Sequence, residues 1–119
     1  MIGIDIVKAS RIEKAIKRWG DGFADKIFTE NEKQYCENKI NKYQCYAARF
    51  AVKESFYKAK NHNYGWKAIE VRTGGKPVIK ILNKQLEEEM KGIKIHVSLS
   101  HTNDTAIAAV LLVDSSNQS

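Results

Sequence analysis

Several residue types and patterns that mark specialised protein classes are scarce or missing in this chain. Its 119 residues include one proline and two cysteines, Cys36 and Cys45. Two cysteines are too few for a disulfide-stapled miniature, and their spacing fits no zinc motif, so both are expected to be reduced thiols. No apolar run approaches the roughly 20 residues needed to span a bilayer. The opening residues lack a basic segment followed by an apolar stretch and a cleavage site, so no secretory signal is expected and the cytoplasm is the expected location. There is no glycine-rich nucleotide fingerprint. Gly74-Gly-Lys-Pro77 lacks the spacing and the Ser/Thr of a Walker loop and reads as a hairpin turn. No Ser/His/Asp order suggests a triad, no aromatic pattern resembles an RNA-stacking sheet, and no internal repeat, linker or low-complexity tract interrupts the chain.

What is present fits one ordinary domain. Hydrophobic residues make up 43% of the chain, enough for a single core at this length. The formal net charge is +6 and the pI about 9.3, which favours an anionic partner without choosing among nucleic acid, a phosphate-rich small molecule, an anionic membrane and an acidic protein.

Residues 1–7, rich in Ile and Val, predict a short and mostly buried strand. Ser10-Arg-Ile-Glu13 matches a capping box. It opens a helix with Ile12, Ala15, Ile16 and Trp19 on one face and Arg11, Lys14, Lys17 and Arg18 on the other, with Gly20 as its stop. One or two helical turns follow over Phe23–Phe28. Thr29-Glu-Asn-Glu32 is a second capping box, and a long helix runs from about Tyr43 to Lys60 with Ala48, Val52, Phe56 and Ala59 along one stripe. Beyond residue 65 the pattern turns strand-like: Lys67–Arg72, Val78–Leu82, Ile93–Ser100 and Thr105–Val113, with a short charged helix over Asn83–Lys91. This segregation of helices from strands predicts an α+β domain over residues 1–114, leaving 115–119 as a polar, frayed tail.

Two carboxylates stand in apolar surroundings, Asp5 in Ile2-Gly-Ile-Asp-Ile-Val7 and Glu54 in the long helix. A buried carboxylate has to be paired, protonated or metal-bound. Asp5 also suits a strand edge or a helix cap, and Glu54 with Lys58, one turn on, also suits an ordinary surface ion pair. Together the two carboxylates meet the demand of a magnesium site, which takes one or two carboxylates and leaves the remaining positions to water and phosphate. Lys58 and Arg49 are then candidates for phosphate charge. His101 falls at the tip of the last hairpin, after Ser98 and Ser100; His62 and His96 have weaker claims.

Six segments in order resemble the holo-acyl-carrier-protein synthases, the small bacterial type of phosphopantetheinyl transferase. They are Gly3-Ile-Asp-Ile-Val7, Arg11-Ile-Glu13, Phe28-Thr-x-x-Glu32, Arg49-Phe-Ala-x-Lys-Glu54 with Lys58, Gly75-Lys-Pro77 and Val97-Ser-Leu-Ser-His-Thr102. The resemblance implies an antiparallel sheet packed on a long helix and shorter helices, and a homotrimer with active sites between subunits. It implies magnesium-dependent transfer of 4′-phosphopantetheine from coenzyme A to a serine of apo-acyl carrier protein, with release of adenosine 3′,5′-bisphosphate, in support of fatty acid biosynthesis. Asp5 and Glu54 match the family's metal-binding carboxylates. Lys58 matches its pyrophosphate lysine. Arg49, His101 and Thr102 match residues at the nucleotide end. Arg11, Lys14, Lys17 and Arg18 match the helix that docks the acidic carrier. For the serine proton, Glu54 or a metal-bound water held by it is the expected base, ahead of His101. Neither a nucleic-acid nor a membrane partner is expected; the alternatives are a related transferase serving another carrier and, well behind it, a non-catalytic nucleic-acid-binding module using the basic helix, for which no base-reading motif is present. One departure stands out: where the family usually has Gly-Thr-Gly after the helix lysine, this chain has Asn61-His-Asn-Tyr-Gly65.

Overall fold

The computed structural model of the chain describes residues 1–115. The order of elements is β1 (Ile2–Lys8), α1 (Ala9–Trp19), α2 (Asp21–Ile27), α3 (Glu30–Glu37), α4 (Lys42–Lys60), a 3-10 turn (Trp66–Ala68), β2 (Ile69–Arg72), β3 (Val78–Ile81), α5 (Lys84–Glu89), β4 (Ile93–His101) and β5 (Thr105–Asp114). The α+β class holds, but the strands form two antiparallel sheets, β1-β5-β4 and the hairpin β2-β3. Of the expected tail, Ser115 is tied down, its N–H and hydroxyl both donating to the Gly92 carbonyl; residues 116–119 lie outside the described residues.

The core forms where α4 crosses the three-stranded sheet. Ala47, Ala51, Val52 and Phe56 of α4 are fully buried, as are Ala106, Ala108 and Val110 of β5. The approach is close because the contacting residues are small. A Cβ at Gly3 would lie 1.9 Å from the Ser55 carbonyl oxygen, so only glycine lets β1 pass under α4 here. Ser55 buries its hydroxyl by donating to the Ala108 carbonyl, 3.0 Å away. Helix α4 ends at Asn61, whose left-handed φ of 63° suits a short polar side chain.

Four sequence expectations are corrected. First, β1 is not mostly buried. Gly3, Asp5 and Val7 face α4, while Ile2, Ile4 and Ile6 are 69%, 62% and 65% exposed on the outer face, because β1 is an edge strand with no second layer over that side. Second, Ser10 caps nothing. Helix α1 starts at Ala9, and Asp104 from the distant β4–β5 turn caps it, accepting from the Ser10 N–H at 3.0 Å and from the Ser10 hydroxyl at 3.1 Å. Third, Trp19 projects to solvent although it shares a helical face with the buried Ile12. Fourth, the cysteines are joined: the antiparallel turn from α3 into α4 brings the Cα atoms of Cys36 and Cys45 to 5.4 Å in a disulfide. The second capping box forms as expected, with Thr29 accepting from the Glu32 N–H and Glu32 from the Thr29 N–H.

Candidate functional site

Helix α4 carries two clusters on different sides. Glu54 projects toward β1 and meets Asp5, whose position is fixed by the Gly3 crossing two residues earlier. Lys58, one turn beyond Glu54, donates to Asp5 Oδ1 and to the Ile4 carbonyl, each at 3.1 Å. Asp5 Oδ2 is buried and has no hydrogen-bond partner. Burial, and then the neighbouring Asp5 charge, hold the Glu54 carboxyl above its ordinary value, with Lys58 pulling the other way. Asp5, Glu54, Arg11, Phe23 and Phe50 line a cavity of about 430 Å³ beside this pair. Phe50 is stacked on Trp66 at 5.2 Å, which gives the cavity a rigid apolar wall.

These features fit a magnesium-sized cation. An orphaned carboxylate oxygen beside a second carboxyl that resists ionising is a site short of positive charge, and hard oxygens are the ligands such an ion takes. Two protein ligands suffice if water and substrate phosphate complete the shell; among the described residues no group of three or more acidic, His or Cys side chains is assembled anywhere.

The second cluster surrounds Arg49. Its guanidinium lies over the Tyr35 ring at 4.5 Å and donates through Nη2 to the Thr73 hydroxyl at 2.7 Å and through Nη1 to Cys45 Sγ at 3.2 Å. Burial lowers its pKa, and Nε is buried without a partner. Arg49, His101, Tyr35, Lys39, Gln44 and Thr73 are among the residues lining a cavity of about 500 Å³. Thr102 is exposed outside that lining, and its carbonyl accepts from Gln44 Nε2. Residues 49 and 54 are five apart, about 140° around a helix of 3.6 residues per turn, so within one chain the two clusters do not converge.

The cationic face of α1 is exposed as expected. Lys17 is paired with Glu13 at 2.6 Å and Arg18 lies over the Trp19 ring at 4.8 Å, whereas Lys14 has no carboxylate partner among the described residues and Arg11 reaches the Asp5–Glu54 cavity.

Sequence reasoning missed Tyr35 and Thr73, which hold Arg49, and Gln44, which ties α4 to the last hairpin. The one available signal was Tyr35 itself, an aromatic in an otherwise polar helix. The altered loop after α4 is pinned: Tyr64 and Lys60 both donate to Glu89 of α5, and Tyr57 to the Gly65 carbonyl. His62 packs edge-on against Tyr64 at 4.6 Å and lines neither cavity.

A carboxylate pair with a flanking lysine, set between an edge strand and a long helix, is the kind of arrangement that can meet a cation and phosphate. The model of the 4′-phosphopantetheinyl transferase superfamily matches residues 1–110, and the chain belongs to that superfamily. It is 44% identical over 118 residues to a holo-[acyl-carrier-protein] synthase of Halothermothrix orenii, covering 92% of this chain and 94% of that one. It is 38% identical to the same enzyme of Aquifex aeolicus, covering 94% and 97%. Among solved structures it superposes on the holo-[acyl-carrier-protein] synthase of Helicobacter pylori in complex with coenzyme A with a TM-score of 0.82, at 30% identity and covering 95% of this chain and 100% of that one. The enzyme from Neisseria meningitidis gives 0.83 at 29% identity, covering 94% and 96%.

Proposed function

We propose that this chain transfers the 4′-phosphopantetheine group of coenzyme A to a serine hydroxyl of apo-acyl carrier protein and releases adenosine 3′,5′-bisphosphate, in support of fatty acid biosynthesis in the cytoplasm. The near full-length likeness to holo-[acyl-carrier-protein] synthases supports the reaction. The observation that carries the site is the Asp5–Glu54 pair, with its orphaned oxygen and its raised carboxyl. Asp5 and Glu54 would hold a magnesium ion, which when bound would neutralise charge on the pyrophosphate.

The serine oxygen attacks the pyrophosphate phosphorus that bears the pantetheine arm, and the bond to the bridging oxygen of the nucleotide breaks. Such a transfer needs alignment and positive charge more than covalent help. Lys58 swings from Asp5 to the phosphate oxygens and stabilises the charge that develops on the leaving group. Glu54 takes the serine proton, directly or through a water it holds. Arg49 and His101 meet the nucleotide's 3′-phosphate; the buried, partnerless Nε of Arg49 supports an anionic ligand there, and Thr102 contributes from the rim of that cavity.

Arg11, Lys14, Lys17 and Arg18 dock the acidic carrier and speed its encounter. Separation of the Arg49 and Glu54 clusters around α4 supports a homotrimer in which each active site takes one cluster from each of two neighbours. The outer face of the three-stranded sheet supports the same assembly: Ile2, Ile4 and Ile6 lie beside Ile107 and Leu111, all exposed. The side of β4 on that face is then His96, Ser98 and Ser100, while Val97 packs toward the core. Among the described residues no helix is long and apolar enough to cross a membrane.

The test is mass spectrometry of an apo-carrier incubated with the chain, coenzyme A and magnesium. The carrier is expected to gain the mass of one phosphopantetheine group, and Asp5→Ala and Glu54→Ala are expected to remove that gain while the far-ultraviolet circular dichroism spectrum stays unchanged. Full activity in both variants would sink the metal assignment.

A further inference from the structure

The disulfide lies in the wall of the Arg49 cavity, between two of the groups that shape it. Cys36 ends α3 and Cys45 opens α4, nine residues apart. The segment they close, residues 37–44, supplies Asn38, Lys39, Ile40, Asn41 and Gln44 to the cavity lining that Arg49 and His101 complete. Residues 37–41 are all exposed, and outside the disulfide the segment is held at its two ends, where Tyr46 donates to Glu37 and Gln44 to the Thr102 and Asn103 carbonyls. Cys45 Sγ itself accepts from Arg49 Nη1.

We infer that Cys36 and Cys45 form a reversible redox pair whose disulfide state sets the affinity of the Arg49 cavity for an anionic nucleotide. The inference rests on the reading of that cavity as the nucleotide end of the site. Two physical effects act in the same direction. With the bond closed, the 37–44 wall is held in its ligand-ready shape, and less ordering is left for the ligand to impose. With the bond open, the guanidinium 3.2 Å from Cys45 Sγ favours the thiolate, and that anion competes with the ligand phosphate for Arg49.

The exchange is balanced with a small thiol as reductant. Cys36 is wholly buried and Cys45 partly exposed, so access directs the attacking thiolate to Cys45 Sγ. A mixed disulfide forms there, and Cys36 leaves as a thiolate and takes a proton. A second thiol then displaces Cys45 and departs as the oxidised disulfide, leaving two protein thiols. Re-oxidation runs the same steps backward from a small-molecule disulfide, with Cys45 as the nucleophile. Disulfides in a reducing cytoplasm are mostly transient and regulatory, which is the behaviour such a pair would show there.

Calorimetric titration of the full chain with adenosine 3′,5′-bisphosphate, after glutathione disulfide and again after dithiothreitol, tests this. Thiol counts should be zero and two per chain, and the reduced form should bind about three- to tenfold more weakly. The variant Cys36→Ser/Cys45→Ser should ignore both reagents and bind more weakly than the oxidised form but more tightly than the reduced one, since it loses the closed wall without gaining the competing thiolate. Trypsin should cut after Lys39 and Lys42 faster in the reduced form. Two free thiols persisting in glutathione disulfide would overturn the inference. So would equal affinity in both states; if Arg49→Ala still weakens binding in that case, the cavity reading survives alone. If Arg49→Ala binds as well as the wild type, the cavity reading fails and the redox inference falls with it.

Discussion

Lys53 and Lys58 stand five residues apart on α4, and each meets a carboxylate. Lys53 and Glu32 are both 0% exposed, 2.7 Å apart. Every polar atom of that pair is answered: the ammonium also donates to the Ile27 and Trp66 carbonyls at 2.6 and 2.8 Å, and Glu32 accepts from the Thr29 and Val71 N–H groups. It clamps α2, α3, α4 and β2 together. Lys58 is half exposed while Asp5 is largely covered, with one oxygen of Asp5 unanswered and the Glu54 carboxyl raised beside them by burial and the Asp5 charge. The first pair is complete and structural. The second is left incomplete, and under the proposed function that incompleteness is what a cation and a phosphate would fill.

The largest effect should come from breaking the complete pair. Lys53→Met leaves Glu32 buried and unpaired, and should lower unfolding free energy by about 3–5 kcal/mol in urea titrations. An unchanged midpoint would erase the distinction drawn here. Gly3→Ala tests the crossing that places Asp5 under Glu54. With a backbone carbonyl 1.9 Å from the new Cβ, it should cost about 3 kcal/mol, the upper end for overpacking, and should lower activity as the carboxylates move apart.

Lys58→Ala should leave stability within about 1 kcal/mol, as for an exposed pair. It should nonetheless lower kcat by roughly 10²-fold, the scale of removing one stabilising group from a transition state. Steady-state kinetics and melting curves on the same sample separate the two.

The smallest effect sharpens the contrast by pH. The folded state raises the Glu54 carboxyl, so it favours the protonated form. The stability this contributes is full below the ordinary carboxyl value and is lost as pH rises through the raised one. Glu54→Gln stays neutral. In metal-free buffer it should therefore melt above the wild type once pH exceeds that window and together with it below, while activity is lost throughout.

Much of this contrast was readable in the sequence. The Phe50, Glu54, Lys58 face and the apolar stripe through Val52 and Phe56 follow from helical period, and the capping box at Thr29 from its own four residues. The Lys53–Glu32 clamp was not readable, because Glu32 already had a local role as a cap and nothing local pairs it with a residue 21 positions on. The failed capping box at Ser10 has the same cause: an aspartate 94 residues away took the role. The two free thiols were misread because a nine-residue spacing carries no geometry until a helical turn closes it.

By itself the sequence determined the elements, their stripes, the basic face of α1 and the residue types able to hold magnesium and phosphate, since these depend on periodicity and side-chain chemistry that act over a few residues. Tertiary structure alone decided which charges are sealed and which stay open. It buried Lys53 on carbonyls and Glu32, exposed Ile2, Ile4 and Ile6, joined Cys36 to Cys45, and left Asp5 Oδ2 without a partner. Burial and partnership are set by what comes to lie against a residue from elsewhere in the chain, and at Asp5 that was fixed by a glycine small enough to let a helix pass.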